Sequence, residues 1–177
     1  PYTVKVVAIN ALASATSVAV NDPMYGSQWH LYSAFGIQAH KAWQVTKGKP
    51  SIVVAVLDSG ITAHPDLEGQ TVQGFDFISS PSSSHDNQSL GGNTGDWDAD
   101  PTDAGDYSAG NNSSWHGTHV AGLIGAAQNS LGVSGVAPGV KILPVRVLGT
   151  SGGETSDLIA AINWACLLYT SPSPRDS

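Results

Sequence analysis

The chain has 177 residues, a net charge of −7 at pH 7 and only 12% charged side chains. This length suits one domain and is sufficient to bury a core. An acidic chain without a basic cluster is not expected to bind nucleic acid. No apolar run reaches the ~20 residues that cross a bilayer, so no membrane partner is expected either.

The first fifty residues carry weak structural signals. Residues 1–20 are rich in Ala, Val, Ser and Thr, and we interpret them as a strand plus linker or as the end of a pro-segment. Turn residues followed by aromatic residues over 21–31 indicate an extended arm. Apolar residues recur through 33–47 and are followed by Gly48 and Pro50, which predicts a short helix.

Strands and helices alternate in the rest of the chain. The run SIVVAVLDSG is apolar and β-branched up to Asp58, which is typical of a strand buried on both faces. The predicted segments are a strand over 51–60, a helix crowded with small residues over 115–127, a strand over 141–149 and a helix over 156–165. This alternation predicts an α/β fold with a mostly parallel sheet.

The last twelve residues, CLLYTSPSPRDS, break the helical pattern that precedes them. They resemble the translation of a transposase-end sequencing adapter, whose codons read CLLYTSPSPRD in one frame. We therefore interpret 166–177 as a non-native tail left by sequence assembly and exclude it from fold reasoning. The alternative is a natural linker rich in Pro and Ser, which an independent read of these codons would establish.

Candidate catalytic side chains lie at two places. Asp58 ends a predicted strand, where ligands of open α/β sheets gather, although the Asp of a D-S-G sequence also commonly caps a turn. His116 and His119 lie three residues apart in SSWHGTHVAG. They would make a pair of metal ligands, but the acid of the metal-binding H-E-x-x-H motif is missing. A single histidine braced by a carboxylate suits general-base catalysis instead.

Several segments together resemble the subtilisin-like serine peptidases. They are VAVLDSGI (54–61), HPDL (64–67), HGTHVAG (116–122), GVAPGVKILPVRVL (135–148) and SDLIAAINWA (156–165). The resemblance covers 21–165 and implies the N-terminal part of a peptidase domain. The implied fold is a mostly parallel sheet with helices on both faces, incomplete at the C-terminus. Asp58 and His116 are then catalytic, and His119 is a hydrogen-bonded packing residue.

The nucleophile of that family is missing from the sequence. Its serine lies in a G-T-S-M-A-like motif, which does not occur before Ala165, and its oxyanion asparagine is also expected further on. We therefore expect the chain as written to be inactive. The resemblance implies a secreted monomer that acts on polypeptides and is made with a pro-segment as chaperone and inhibitor. The alternative is a non-catalytic relative acting as a calcium-binding module, although the intact Asp58 and His116 argue against it.

The resemblance also implies a substrate groove. The segment VLGTSGGETS (147–156) matches the family segment that pairs with an extended substrate as an added strand. Leu148, Gly152 and Gly153 would line this groove. An ordinary loop between a strand and a helix is the alternative.

Calcium is the cofactor that the resemblance implies. The segment AAQNSLGVSGVAP (126–138) is similar to a family loop that wraps Ca²⁺ in carbonyl and side-chain oxygens, which suit this ion. The implied ligands are the carbonyls of Ala127, Leu131 and Val133 and the side chains of Asn129, Asp66 and Asp22. A second candidate site is the acidic segment 95–106, for which a solvated loop is the alternative. Its carboxylates are Asp96, Asp98, Asp100, Asp103 and Asp106.

Overall fold

The computed structural model describes residues 20–80, 97–105 and 113–170. Within these ranges the sheet consists of β1 (Val53–Asp58), β2 (Phe75–Asp76) and β3 (Lys141–Arg146). The strands lie in the order β1-β3-β2, and both pairings are parallel. The predicted parallel sheet is therefore confirmed. Residues 1–19, where a linker or the end of a pro-segment is predicted, lie outside the described residues.

The strand register brings three polar residues into one row. Asp58 lies opposite Arg146, and Arg146 lies opposite Asp76. This row forms the carboxyl-terminal edge of the sheet, which is the edge where ligands gather in open α/β folds.

The described residues contain four α-helices, of which the last two pack on the sheet. They are α1 (Trp29–Tyr32), α2 (Ala39–Ala42), α3 (His116–Gly125) and α4 (Thr155–Thr170). Single 3₁₀ turns occur at Tyr25–Ser27 and Pro65–Leu67.

Helices cover both faces of the sheet, as the sequence predicts. Ala121 of α3 packs with Val56 and Ile142 in one core cluster. Ala161 of α4 packs with Val145 in a second cluster, on the opposite face. Because side chains alternate along a strand, Asp58 shares the face of Val56 and points toward α3.

The predictions for 21–47 are largely wrong. The arm over 21–31 is not extended, because it contains a 3₁₀ turn and the start of α1. Within the helix predicted over 33–47, only the single turn α2 forms. Phe35 is 95% exposed and Ile37 is 62% exposed. These apolar residues have no covering partner among the described residues. Only Trp43 and Ala39 of this segment join Leu31 in a small core.

The last helix extends further than predicted. It continues beyond Ala165 to Thr170, although Leu167 is 62% exposed and Leu168 is 49% exposed. That 166–177 is a non-native tail stays a prediction. None of the helices in the described ranges is both long and apolar enough to cross a membrane.

Candidate active site

Asp58 occupies a buried position at the end of β1. Its residue surface is 7% exposed, and its backbone carbonyl accepts hydrogen bonds from the N–H groups of Val147 (2.8 Å) and Leu148 (3.1 Å). Its Oδ1 also accepts a hydrogen bond from the N–H of Ser59 at 2.7 Å. Both the backbone and the carboxylate of Asp58 are therefore held in place.

His116 meets this carboxylate from the start of α3. Its Nδ1 lies 2.8 Å from Oδ1 and 2.9 Å from Oδ2 of Asp58. In the tautomer with the proton on Nδ1, the ring donates to the carboxylate and leaves Nε2 as the basic nitrogen. The His116 side chain is 62% exposed, so solvent reaches the ring. This arrangement can accept a proton from a nucleophile and stabilise the imidazolium that forms.

The start of α3 fits against β1 because two glycines meet there. A Cβ on Gly117 would lie 2.2 Å from the backbone oxygen of Gly60 and 3.2 Å from Cβ of Asp58. Gly60 has a φ of +103°, a conformation that favours glycine. Trp115, just before the helix, has a φ of 52° and turns the chain so that His116 opens α3.

His119 is separate from this pair. It is exposed and lines a cavity of about 550 Å³ together with Trp115, Leu123 and Leu67. No side-chain hydrogen bond to His119 occurs within the described ranges, so its prediction as a hydrogen-bonded packing residue is wrong.

The predicted groove residues lie between β3 and α4. Leu148 is 40% exposed, and its N–H is bound to the Asp58 carbonyl. Gly149 and Gly152 exchange two backbone hydrogen bonds of 2.9 and 3.1 Å, which closes a tight turn where Gly152 has a φ of +89°. A Cβ on Gly153 would lie 2.2 Å from the carbonyl oxygen of Val147. The segment is therefore fixed beside Asp58, while its role in substrate binding stays a prediction.

Two residues of the first predicted calcium site contact Asp66 through their backbone N–H groups. Its Oδ2 accepts the N–H of Val133 at 2.8 Å, and its backbone oxygen accepts the N–H of Ala127 at 3.0 Å. Its Oδ1 is buried and has no hydrogen-bond partner among the described residues. A buried carboxylate oxygen without a donor is the kind of group that a cation would satisfy. This oxygen of Asp66 therefore fits the role of a Ca²⁺ ligand.

Asp22 connects the N-terminal arm to the same loop. Its Oδ1 accepts the N–H groups of Asn129 (3.0 Å) and Ser130 (2.9 Å), and its Oδ2 accepts the hydroxyl of Ser134. Asn129 Oδ1 in turn accepts the N–H of Leu131 at 2.9 Å. In the described ranges no three His, Cys, Asp or Glu side chains form a metal cluster, so carbonyl oxygens would have to supply much of the coordination.

The acidic segment is only partly described. Asp96 and Asp106 lie outside the described residues. Asp98 Oδ1 accepts the N–H of Asp100 at 2.7 Å, and Asp100 Oδ1 accepts the N–H and the hydroxyl of Thr102. Asp103 is 5% exposed. These carboxylates satisfy groups of their own chain, and a second calcium site here stays a prediction.

Two features beside the pair were not predicted from the sequence. Ser59 bonds to Asp103 at 2.7 Å, and Arg146 forms a buried ion pair with Asp76. A single Arg within the apolar stretch KILPVRVLG is a signal that a buried counter-charge is needed. The partner of Ser59 has no local signal, because 44 residues separate it from Asp103.

Comparisons with known proteins place the chain in a family. The subtilase family model matches residues 49–175. The chain is 43% identical to the extracellular basic protease of Dichelobacter nodosus over 155 residues, which cover 83% of this chain and 26% of that protein. It is 41% identical to an extracellular protease of Xanthomonas campestris pv. campestris over 168 residues, which cover 92% of this chain and 28% of that protein.

A solved structure agrees with the sequence matches. A protease of Pseudoalteromonas arctica matches with a TM-score of 0.76 and 42% identity over 90% of this chain and 46% of its own. The chain spans about a quarter of the length of the two curated relatives. The family model covers well over half of the chain, and the chain therefore belongs to the subtilase family of subtilisin-like proteases.

Proposed function

We propose that the chain supplies the aspartate and the histidine of a serine endopeptidase that hydrolyses peptide bonds in proteins. The observation that carries this proposal is the contact of His116 Nδ1 with both carboxylate oxygens of Asp58, at 2.8 and 2.9 Å. A serine hydroxyl becomes an effective nucleophile only when a base removes its proton. His116 acts as that base through Nε2, and Asp58 fixes the tautomer and stabilises the imidazolium.

The nucleophile and the asparagine of the oxyanion hole are not part of the sequence as written, so the chain alone is inactive in this proposal. One oxyanion donor contributes ~10²–10³ in rate, and without a nucleophile the covalent route does not operate. Asp58 and His116 are then half of a site that a later segment completes.

The substrate is a polypeptide that adds as a strand along Leu148, Gly152 and Gly153. The support for this is positional, because Leu148 lies two residues after β3 and its N–H is bound to the carbonyl of Asp58. Main-chain pairing of this kind accepts many sequences. We further propose that the protein is a secreted monomer made with an inhibitory pro-segment. Two of its relatives are named extracellular proteases, which supports secretion.

Calcium has a structural role in this proposal. Asp66 and Asn129, the carbonyls of Ala127, Leu131 and Val133, and Asp22 from the arm would hold the ion. The ion would contribute charge neutralisation at Asp66 and a cross-link between the arm and the loop after α3. The support is the buried Asp66 Oδ1 that lacks a donor within the described residues.

A chimaera tests the proposed activity. Residues 20–165 replace the matching segment of the Pseudoalteromonas arctica protease, which supplies the remaining part of the domain. We expect the chimaera to cleave a peptide substrate and to be blocked by phenylmethylsulfonyl fluoride, whereas the 177-residue chain alone does neither. A folded chimaera that binds calcium without cleaving would favour the non-catalytic binding module. Cleavage by the 177-residue chain alone would contradict the absence of a nucleophile.

A further inference from the structure

Ser59 contacts both of the elements that carry the catalytic pair. Its N–H donates to Asp58 Oδ1 at 2.7 Å, and its hydroxyl oxygen accepts the N–H of Gly117 at 3.0 Å. Gly117 directly follows His116 in the first turn of α3. Ser59 is 5% exposed, so water does not readily replace these two hydrogen bonds. Ser59 therefore joins the end of β1 to the start of the catalytic helix.

The direction of the Ser59 hydroxyl is set by Asp103. The hydroxyl has one proton and two lone pairs, and it must present a lone pair to the N–H of Gly117. Its proton goes to Asp103 Oδ2 at 2.7 Å. An ionised carboxylate can only accept, so it orients the hydroxyl in the one sense that allows the bond to Gly117.

Asp103 is itself hydrogen-bonded to the chain that follows Asp58. Its Oδ1 accepts the N–H of Gly105 at 2.8 Å, and its own N–H donates to the carbonyl of Ile61 at 2.9 Å. The N–H of Ile61 donates to the carbonyl of Pro101, also at 2.9 Å. A Cβ on Gly60 would lie 2.5 Å from that Pro101 oxygen. The acidic segment is thus packed against the D-S-G turn, with little space for adjustment.

We propose that Asp103 is a positioning residue for the catalytic pair, acting through the hydroxyl of Ser59. This positioning role rests on the proposed function, since it concerns the same Asp58 and His116. The hydrogen bond to Asp103 orients the Ser59 hydroxyl, and that hydroxyl accepts the N–H of Gly117 in the first turn of α3. The position of this turn sets the alignment of His116 Nδ1 with Asp58. The acidic segment then contributes to the geometry of the pair directly, whether or not it binds a cation.

The test observes the Nδ1 proton of His116 by NMR in the 177-residue chain. A proton in a strong hydrogen bond to a carboxylate resonates far downfield and exchanges slowly. Asp58→Asn identifies the signal, and if the signal survives that change, the catalytic pair itself is refuted. A chelator is present throughout, so that calcium binding by Asp103 cannot produce the effect.

We expect Asp103→Asn and Ser59→Ala to shift this signal upfield or to lose it by exchange, while core signals such as those of Ile142 remain. Ser59→Thr keeps the hydroxyl and should restore the signal. Glu68→Gln changes an exposed carboxylate outside the acidic segment, and this control should leave the signal unchanged. A folded Asp103→Asn or Ser59→Ala chain with an unaltered signal would overturn the proposal. If Asp103→Asn does not fold, Ser59→Ala decides the question alone.

Discussion

Gly117 in the first turn of α3 lies against the backbone of Gly60, so that a Cβ on Gly117 would be 2.2 Å from the Gly60 oxygen. The obstacle is backbone and not a flexible side chain. Any larger residue at this position therefore has to move α3 away from β1. The distance between His116 and Asp58 depends on this contact.

Gly117→Ala should accordingly destabilise the chain. We expect a loss of about 1–3 kcal/mol in the free energy of unfolding, the usual cost of overpacking. Gly122→Ala is the matched control in the same helix, because a Cβ on Gly122 meets nothing within 4 Å. It should be neutral or stabilise the helix by up to about 1 kcal/mol. Urea unfolding of both variants measures the difference, and equal stabilities would contradict the close contact.

The ion pair of Arg146 and Asp76 should be costly to break. Arg146 is 1% exposed and Asp76 is 0% exposed, so removing the charge of one partner disrupts an ion pair that is shielded from water. We expect Asp76→Asn to lower the free energy of unfolding by about 3–5 kcal/mol. Glu68→Gln, at an exposed position, should change it by less than about 0.5 kcal/mol. Thermal unfolding of the two variants under one condition measures both changes in stability. A loss in Asp76→Asn as small as that in Glu68→Gln would refute a stabilising role of the ion pair.

Calcium should stabilise the chain through Asp66. At 100 times its dissociation constant a ligand of the folded state adds about 2.7 kcal/mol, so chelation should lower the melting temperature. Asp66→Asn should weaken calcium binding at least tenfold in isothermal titration and remove most of the thermal effect. Asp100→Asn should leave this site intact. A melting temperature that chelator does not alter would exclude the proposed ion.

The arm that carries Asp22 should loosen at alkaline pH. Burial, and secondarily the charge of Tyr32, raises the pKa of Tyr25 above its usual 10.0. The neutral phenol is favoured in the folded state, so this contribution to stability is complete below pH 10 and is lost as the pH rises through the raised pKa. The ionisation of Tyr25 can be followed as the difference in absorbance at 295 nm between the chain and Tyr25→Phe during a pH titration. This difference should have its midpoint above pH 10. A midpoint at or below 10 would contradict the burial of this ring.

The catalytic elements could be predicted from sequence because their signals are local. The apolar run of β1 ends at Asp58, and the small residues of HGTHVAG permit a helix to approach a strand closely. Period-two alternation then places Asp58 on the face of Val56 and α3. The parallel sheet with helices on both faces follows from the alternation of elements.

The parts that sequence reasoning missed depend on distant contacts. Phe35 and Ile37 have the composition of a helix face, but nothing in the described chain covers them, so no helix forms there. The hydrogen bond from Ser59 to Asp103 joins residues 44 positions apart. The periodicity of a sequence does not predict a contact at this separation. His119 has the local setting of a packed residue, yet its exposure is decided by which elements surround α3.

Two histidines of one helix, compared in the chimaera, test the catalytic pair. His116→Ala removes the general base, so kcat/KM should fall by about 10⁴-fold or more, the scale on which the loss of a triad residue acts in subtilisin-type enzymes. His119→Ala, in the same helix but with no hydrogen bond to Asp58 among the described residues, should retain activity within about tenfold of the unmodified chimaera. A folded His116→Ala chimaera that retained its kcat/KM would contradict the assignment of Asp58 and His116 as the catalytic pair.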